Sequence, residues 1–183
     1  SFYDGKNSYY LSKETLLNNV QKIDLKNGYT YDFKKNYVIF SRLNKKINLS
    51  LFDTMIAAYL LSLNVKDDIA YIANTMDYKI MFYENILKEQ EENILKENVC
   101  LKSKFIYETK ENLYKELEKE ELIKLFLEVE MPLTEVLAKM EINGIVVDKK
   151  ILAKMNEEIK IKIELLSKTI YNYAGLEFNI NSP

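Results

Sequence analysis

Residues 128–148 read Glu128-Val-Glu-Met-Pro-Leu-Thr-Glu-Val-Leu-Ala-Lys-Met-Glu-Ile-Asn-Gly-Ile-Val-Val-Asp148, and the character of the chain changes across them. Pro132 suits a first helical turn, where its missing N–H costs little. Leu133, Val136, Leu137 and Met140 follow at i, i+3, i+4 and i+7, the spacing of an amphipathic helix. Gly144 suits the position just past a helix end, where positive φ is needed. Asp148 is a good N-cap for a second helix.

Downstream lies one long helix. Its stripe is Leu152, Met155, Ile159, Ile163, Leu166, Ile170 and Tyr173, ended by Gly175. About 25 residues at 1.5 Å each make a rod of about 38 Å. Its neighbouring sequence is too short to bury that stripe. The rod therefore reads as an arm from a larger body, or as half of a helical hairpin.

Upstream the elements are short and mixed. Phe2-Tyr3 and Tyr9-Tyr10-Leu11 flank Asp4-Gly5-Lys6-Asn7, a hairpin signal. Ser12 caps a short helix ending near Gln21. Asn27-Gly28 marks a turn, and Tyr29-Thr30-Tyr31 a short strand. Asp32 caps a helix to about Leu43, carrying Phe33, Tyr37 and Phe40. Ile47–Phe52 reads as another strand. Asp53-Thr54 opens a helix with Met55, Ile56, Tyr59, Leu60 and Leu63 inward, and Asp67-Asp68 starts a further one. From Ile80 to Val129 the pattern is helical almost throughout. Its candidate core positions are Ile94, Leu95, Leu101, Phe105, Leu113, Leu117, Phe126 and Val129, with Glu and Lys between them as a solvated face.

Composition narrows the chemistry. In 183 residues there are only four Gly and two Pro, against about 13 and 9 at average usage, so long helices are expected. The absence of His removes imidazole catalysis and His-ligated zinc. One cysteine, Cys100, excludes an intrachain disulfide and reads as a small apolar residue. No run of 18 apolar residues occurs, so no membrane helix is expected and a cytoplasmic protein is. Residues 1–83 carry 11 basic and 8 acidic side chains, and residues 84–130 carry 8 and 13. No segment is basic enough to announce nucleic acid by charge alone. No phosphate-binding glycine motif occurs. The Glu-x-Glu pairs lie in helical runs, where i and i+2 point apart and cannot share an ion.

The 128–148 stretch closely resembles the bacterial DNA polymerase I family, the family A polymerases, at the junction between proofreading exonuclease and thumb. Tyr173-Ala-Gly-Leu-Glu-Phe-Asn-Ile-Asn-Ser-Pro183 is similar to the segment after that family's first long thumb helix. Phe52-Asp-Thr-Met-Ile-Ala-Ala-Tyr-Leu-Leu61 resembles the helix after its second exonuclease motif. The resemblance implies an α/β fold: a truncated RNase H-like (3'-5' exonuclease) domain over 1–128, with short strands and many helices. The base of the polymerase thumb, with its long helix, then occupies 129–183. It implies a fragment starting after the Asp-x-Glu strand and stopping before palm and fingers.

In this resemblance Thr30-Tyr31-Asp32 matches the second exonuclease motif, making Asp32 a candidate metal ligand; an ordinary N-cap explains it equally well. The third motif, Tyr-x-x-x-Asp, falls without gaps on Lys104 and Glu108, with Tyr107 and Glu111 as a rival pair shifted by three. Either way the motif is broken. The domain is thus expected to be a scaffold without proofreading, Asp32 and Glu108 being vestigial metal positions. No catalytic residue and no cofactor are expected in the fragment. The parent polymerase would use Mg²⁺, dNTPs and primer–template DNA, and would pack the remaining thumb, palm and fingers against this part. Asn181 and Ser182 are candidate DNA contacts, or simply a polar turn. The competing readings are an active metal-dependent proofreading nuclease and a non-enzymatic helical interaction module.

Overall fold

The structure, a computed structural model, describes residues 1–23, 28–45, 52–88 and 91–180. It divides into two compact units, 1–143 and 144–183.

The first unit opens with an antiparallel hairpin of β1 (Phe2–Tyr3) and β2 (Ser8–Tyr9). Asp4 makes the turn, its Oδ1 accepting the N–H groups of Lys6 at 2.8 Å and Asn7 at 2.6 Å. Gly5 sits at φ 93°, and an added Cβ would lie 2.6 Å from the Tyr107 hydroxyl oxygen. Both the backbone angle and the approaching ring therefore require glycine here. Ser12 caps α1 (Lys13–Asn19), accepting from Thr15 N. Next comes β3 (Tyr29–Thr30), which leads into α2 (Phe33–Arg42).

β4 (Phe52–Asp53) pairs in parallel with β3, placing Tyr29 opposite Phe52 and Thr30 opposite Asp53. Asn27 and residues 47–51, in the turn and strand expected above, lie outside the described residues. Among the described residues the resulting α/β architecture has two short two-stranded sheets among many helices, as expected.

Helix α3 (Thr54–Leu60) presents Ala57 and Ala58 to the core, while Tyr59 faces outward. This corrects the inward placement of Tyr59. The two alanines let α3 lie close against α6, and Tyr59 is carried to the other side. Helices α4 (Ala70–Thr75) and α5 (Tyr83–Ile86) precede α6 (Glu92–Lys119). Residues 80–82 are not helical, so the continuous helical run begins only at α6.

α6 is the spine. Phe105 anchors one buried cluster with Ala58, Ile69, Ile72 and Ala73. Leu113 and Leu117 join Ala57, Phe126 and Met131 in a second. Thr109 lies between them, its hydroxyl donating to the Phe105 carbonyl at 2.7 Å, so its burial leaves no orphan donor.

After α7 (Ile123–Leu125) the helix widens into a π turn, Phe126–Glu130, and runs on as α8 (Met131–Asn143). Met131 N–H bonds to Phe126 O, five residues back. The wide turn falls where Pro132 lacks a donor and its ring would crowd the carbonyl four residues earlier. α8 buries Met131, Thr134 and Ala138 and packs on α2. Leu133, Val136, Leu137 and Met140 are exposed, as is Val129, contrary to its placement in the core.

The second unit contains α9 (Lys149–Ala174). Asp148 caps it by accepting Lys150 N at 2.8 Å and Ile151 N at 3.2 Å, and Gly175 at φ 73° ends it. None of its residues is buried. Tyr171 folds over the helix end, its hydroxyl donating to Phe178 O at 3.0 Å.

Candidate functional site

The parallel register of β3 and β4 brings Asp53 to the point where β3 turns into α2. There its carboxylate accepts three backbone N–H groups: Asp32 at 3.1 Å, Phe33 at 2.6 Å and Met55 at 2.8 Å. Asp53 thus caps its own helix, as expected, and also clamps the start of α2. Asp32, at this corner, has φ 58°. The left-handed region costs an L-residue about 1–2 kcal/mol, least for Asp and Asn. A buried carboxylate holding the N–H groups of Asp32 itself and of Phe33 keeps the chain there. Asn36 braces the same corner, its Nδ2 donating to Thr30 Oγ1 at 2.7 Å and Tyr31 O at 3.0 Å.

Asp53 is fully buried. Burial pushes its carboxyl up to about 6, and the three N–H donors, which favour the charged form, only partly offset that. The Tyr31 hydroxyl donates to Lys66 O at 2.8 Å. Its pKa is raised, first by burial and then by the charges of Asp53, Asp68, Asp32 and Asp67.

Asp32 itself does what an N-cap does: its Oδ1 accepts Lys35 N at 3.0 Å. Its chain neighbours Tyr31 and Lys35 line a cleft of about 910 Å³ together with Lys66, Tyr71, Phe82 and Lys102. On the cleft wall Asp68 accepts the N–H groups of Ala70 and Tyr83, and the Lys102 ammonium stands 3.7 Å from its Oδ1. Lys66 lies over the Tyr71 ring, 4.2 Å from its centroid.

Glu108 opens elsewhere. It accepts the Tyr78 hydroxyl at 2.7 Å and pairs with Lys104 at 3.7 Å. That hydrogen bond, after burial, helps push the Tyr78 phenol up to about 12. Glu108 lines a separate cleft of about 590 Å³ floored by Leu60, Leu63, Met76 and Leu113. So Glu108 lines a different cleft from the one that Tyr31 and Lys35 line.

Of the rival pair, Tyr107 packs against Tyr3 and Tyr29 with Lys110 over its ring, and Glu111 is exposed. Asn181 and Ser182 lie outside the described residues. Among the described residues no three Cys, Asp or Glu side chains converge as a metal site would require. Lys66, Asp68 and Lys102 went unnoticed as site residues. Asp67-Asp68 signalled only a helix start, and nothing in local spacing joins Asp68 to a lysine 34 positions later.

Comparison with known proteins bears on this geometry. The family model described as DNA polymerase I, ribonuclease H-like domain, matches residues 1–109. A DNA polymerase I of Lactococcus lactis subsp. cremoris (strain MG1363) is 39% identical over 161 residues, 84% of this chain and 18% of the relative. That of Bacillus subtilis (strain 168) is 32% identical over 179 residues, 93% of this chain and 20% of the relative. That of Borreliella burgdorferi (strain ATCC 35210 / DSM 4680 / CIP 102532 / B31) is 28% identical over 194 residues, 98% of this chain and 21% of the relative. The chain therefore spans about a fifth of the length of these curated relatives.

Proposed function

We propose, from the premise that this chain belongs to the DNA polymerase I family through its ribonuclease H-like domain, that it is a section of a DNA-directed DNA polymerase I acting in replication and repair. Residues 1–128 form an exonuclease-like domain kept as a scaffold without proofreading, and residues 129–183 form the base of the thumb. The whole polymerase works in the cytoplasm on primer–template DNA and dNTPs, its Mg²⁺ held by residues outside this chain.

One observation carries the scaffold reading: a lysine in the cleft beside the Asp32 corner. Metal-dependent phosphodiester cleavage needs carboxylates converging on cations. Here Lys102 supplies the positive charge opposite Asp68, Asp53 is engaged by three N–H groups, and Asp32 caps α2. The residues present do not fit an exonuclease metal pair, and no hydrolytic step is assigned to them. What they do is mechanical: they fix the β3–α2 corner to the start of α3 and tie Asp68 to α6.

The test uses the full-length polypeptide with a mismatched primer and Mg²⁺ or Mn²⁺. Incorporation of dNTPs with no release of the 3' nucleotide is expected. Metal-dependent removal of that nucleotide overturns the scaffold reading, and failure to incorporate overturns the polymerase reading.

A further inference from the structure

Three helices end in the same way around the cleft of about 590 Å³ that Glu108 lines. α3, α4 and α6 each close with one residue in the left-handed region, Ser62 at φ 55°, Asp77 at 63° and Glu121 at 58°. The residue after it turns its N–H back to the helix: Leu63 to Ala58 O at 3.0 Å, Tyr78 to Ala73 O at 3.0 Å, and Leu122 to Leu117 O at 2.8 Å. This is the Schellman closure, which sets an apolar side chain just past the helix end. All three of those side chains, Leu63, Tyr78 and Leu122, line the cleft. The closures therefore gather an apolar floor and three helix C-termini in one place. Helix C-termini carry partial negative charge on their last carbonyls and favour cations.

The side-chain charges have the same sign. Glu108, Glu116 and Glu120 line the cleft, and among the described residues no Lys or Arg does. The lysines that meet these carboxylates reach them from outside the lining. Lys104 stands 3.7 Å from Glu108, and Lys119 stands 2.9 Å from Glu116 and 3.9 Å from Glu120. Three carboxylates thus share two ammonium groups, all of them exposed, where such pairs are weak. The Tyr78 hydroxyl fixes Glu108 from a second side, at 2.7 Å. Small-molecule sites are clefts of about 300–1,000 Å³ with an apolar lining and a few polar groups, and this cleft has that size and make-up.

We propose that it binds a small organic cation, an alkylammonium or arylalkylammonium. The apolar part rests on Leu60, Leu63, Met76 and Leu113, and the charged head lies among Glu108, Glu116, Glu120 and the helix ends. An anion would meet only like charge there, and a neutral molecule would gain nothing from the carboxylates. The site draws on none of the residues of the Asp32 corner and does not depend on the reading of the chain as a polymerase section.

The test titrates dansylcadaverine, an apolar fluorophore on a pentylammonium stem, into the full-length polypeptide and follows the rise in its emission. The N-acetylated probe has the same apolar body without the charge. Saturable binding is expected, about fivefold tighter or more for the ammonium than for the acetylated probe, the worth of one exposed charge pair. Asn112→Trp puts a bulky ring into the cleft from an exposed position on α6. That variant, and the pair Glu116→Gln with Glu120→Gln, are each expected to weaken binding by about fivefold or more. Equal affinity for the two probes overturns the cation site. So does unchanged affinity in either folded variant, which would put the probe elsewhere. The absence of saturable binding also overturns it, and is the result for a cleft already covered by polypeptide. Circular dichroism checks that each variant folds; if one does not, the other decides together with the probe comparison.

Discussion

α6 and α9 are nearly the same length, 28 and 26 residues, and have opposite fates. α9 has the cleaner apolar stripe, yet none of its residues is buried. α6 has a Lys- and Glu-rich sequence and buries Asn98, Phe105, Thr109, Leu113 and Leu117. The difference lies in what surrounds them. α6 meets β1, β2, β3 and α3 within the first unit, whereas the described residues of the second unit form one helix and its flanking segments. A periodic stripe records a capacity for burial; burial needs surfaces that the rest of the chain must bring.

The sharpest way to break this comparison is to truncate one apolar side chain on each helix. Phe105→Ala empties a fully buried site and is expected to cost about 3–5 kcal/mol. Ile159→Ala, on a helix without burial, is expected to change stability by less than about 0.5 kcal/mol. Urea unfolding of the two variants measures both. Similar losses would mean that α9 is buried after all.

A smaller effect probes the polar counterpart of the α6 core, the Asp53 clamp. Its carboxyl is raised from the ordinary 3.8 to about 6 in the folded protein. Between about pH 4 and 6 the folded state then holds a proton that the unfolded state has released. Stability should therefore be highest near pH 4, fall on the order of 3 kcal/mol by pH 6–7, and level off above. Asp53→Asn removes that dependence. Its lower stability near pH 4 is expected because one backbone N–H loses its acceptor. A wild-type and variant pair with parallel stability–pH curves would show that Asp53 does not titrate there.

The smallest effect lies at the hairpin edge of the same packed unit. Gly5→Ala forces a Cβ into the Tyr107 ring at a positive φ and should cost about 1–2 kcal/mol. Gly175→Ala, also at positive φ but with nothing within 4 Å, should cost only the backbone part. Thermal unfolding of the pair separates collision from conformation, and equal shifts would remove Tyr107 from the account.

Much of the fold was legible because its signals are local. Ser12, Asp32, Asp53 and Asp148 were each readable as caps, since a short polar side chain satisfies N–H groups two or three residues ahead, and each does so. The family resemblance read from residues 52–61, 128–148 and 173–183 agrees with the relatives matched. Less of the candidate site was legible. Asp53 read as a cap hid its second job across β3, twenty residues back. Lys102 looked like one more lysine on a solvated face until α6 was laid beside Asp68. The α8 stripe was equally visible in sequence, but periodicity marks an apolar face without saying what covers it.

What the sequence by itself determined here is many of the elements, their caps and their family, because hydrogen bonds within a few residues and helical spacing do not wait for distant partners. Only the tertiary structure decided that Asp53 holds the Asp32 corner, that Lys102 faces Asp68, and that α8 turns Ala138 inward and Val136 out. Those outcomes depend on which surfaces meet across tens of residues, and the free energy of burial belongs to the pair of surfaces in contact.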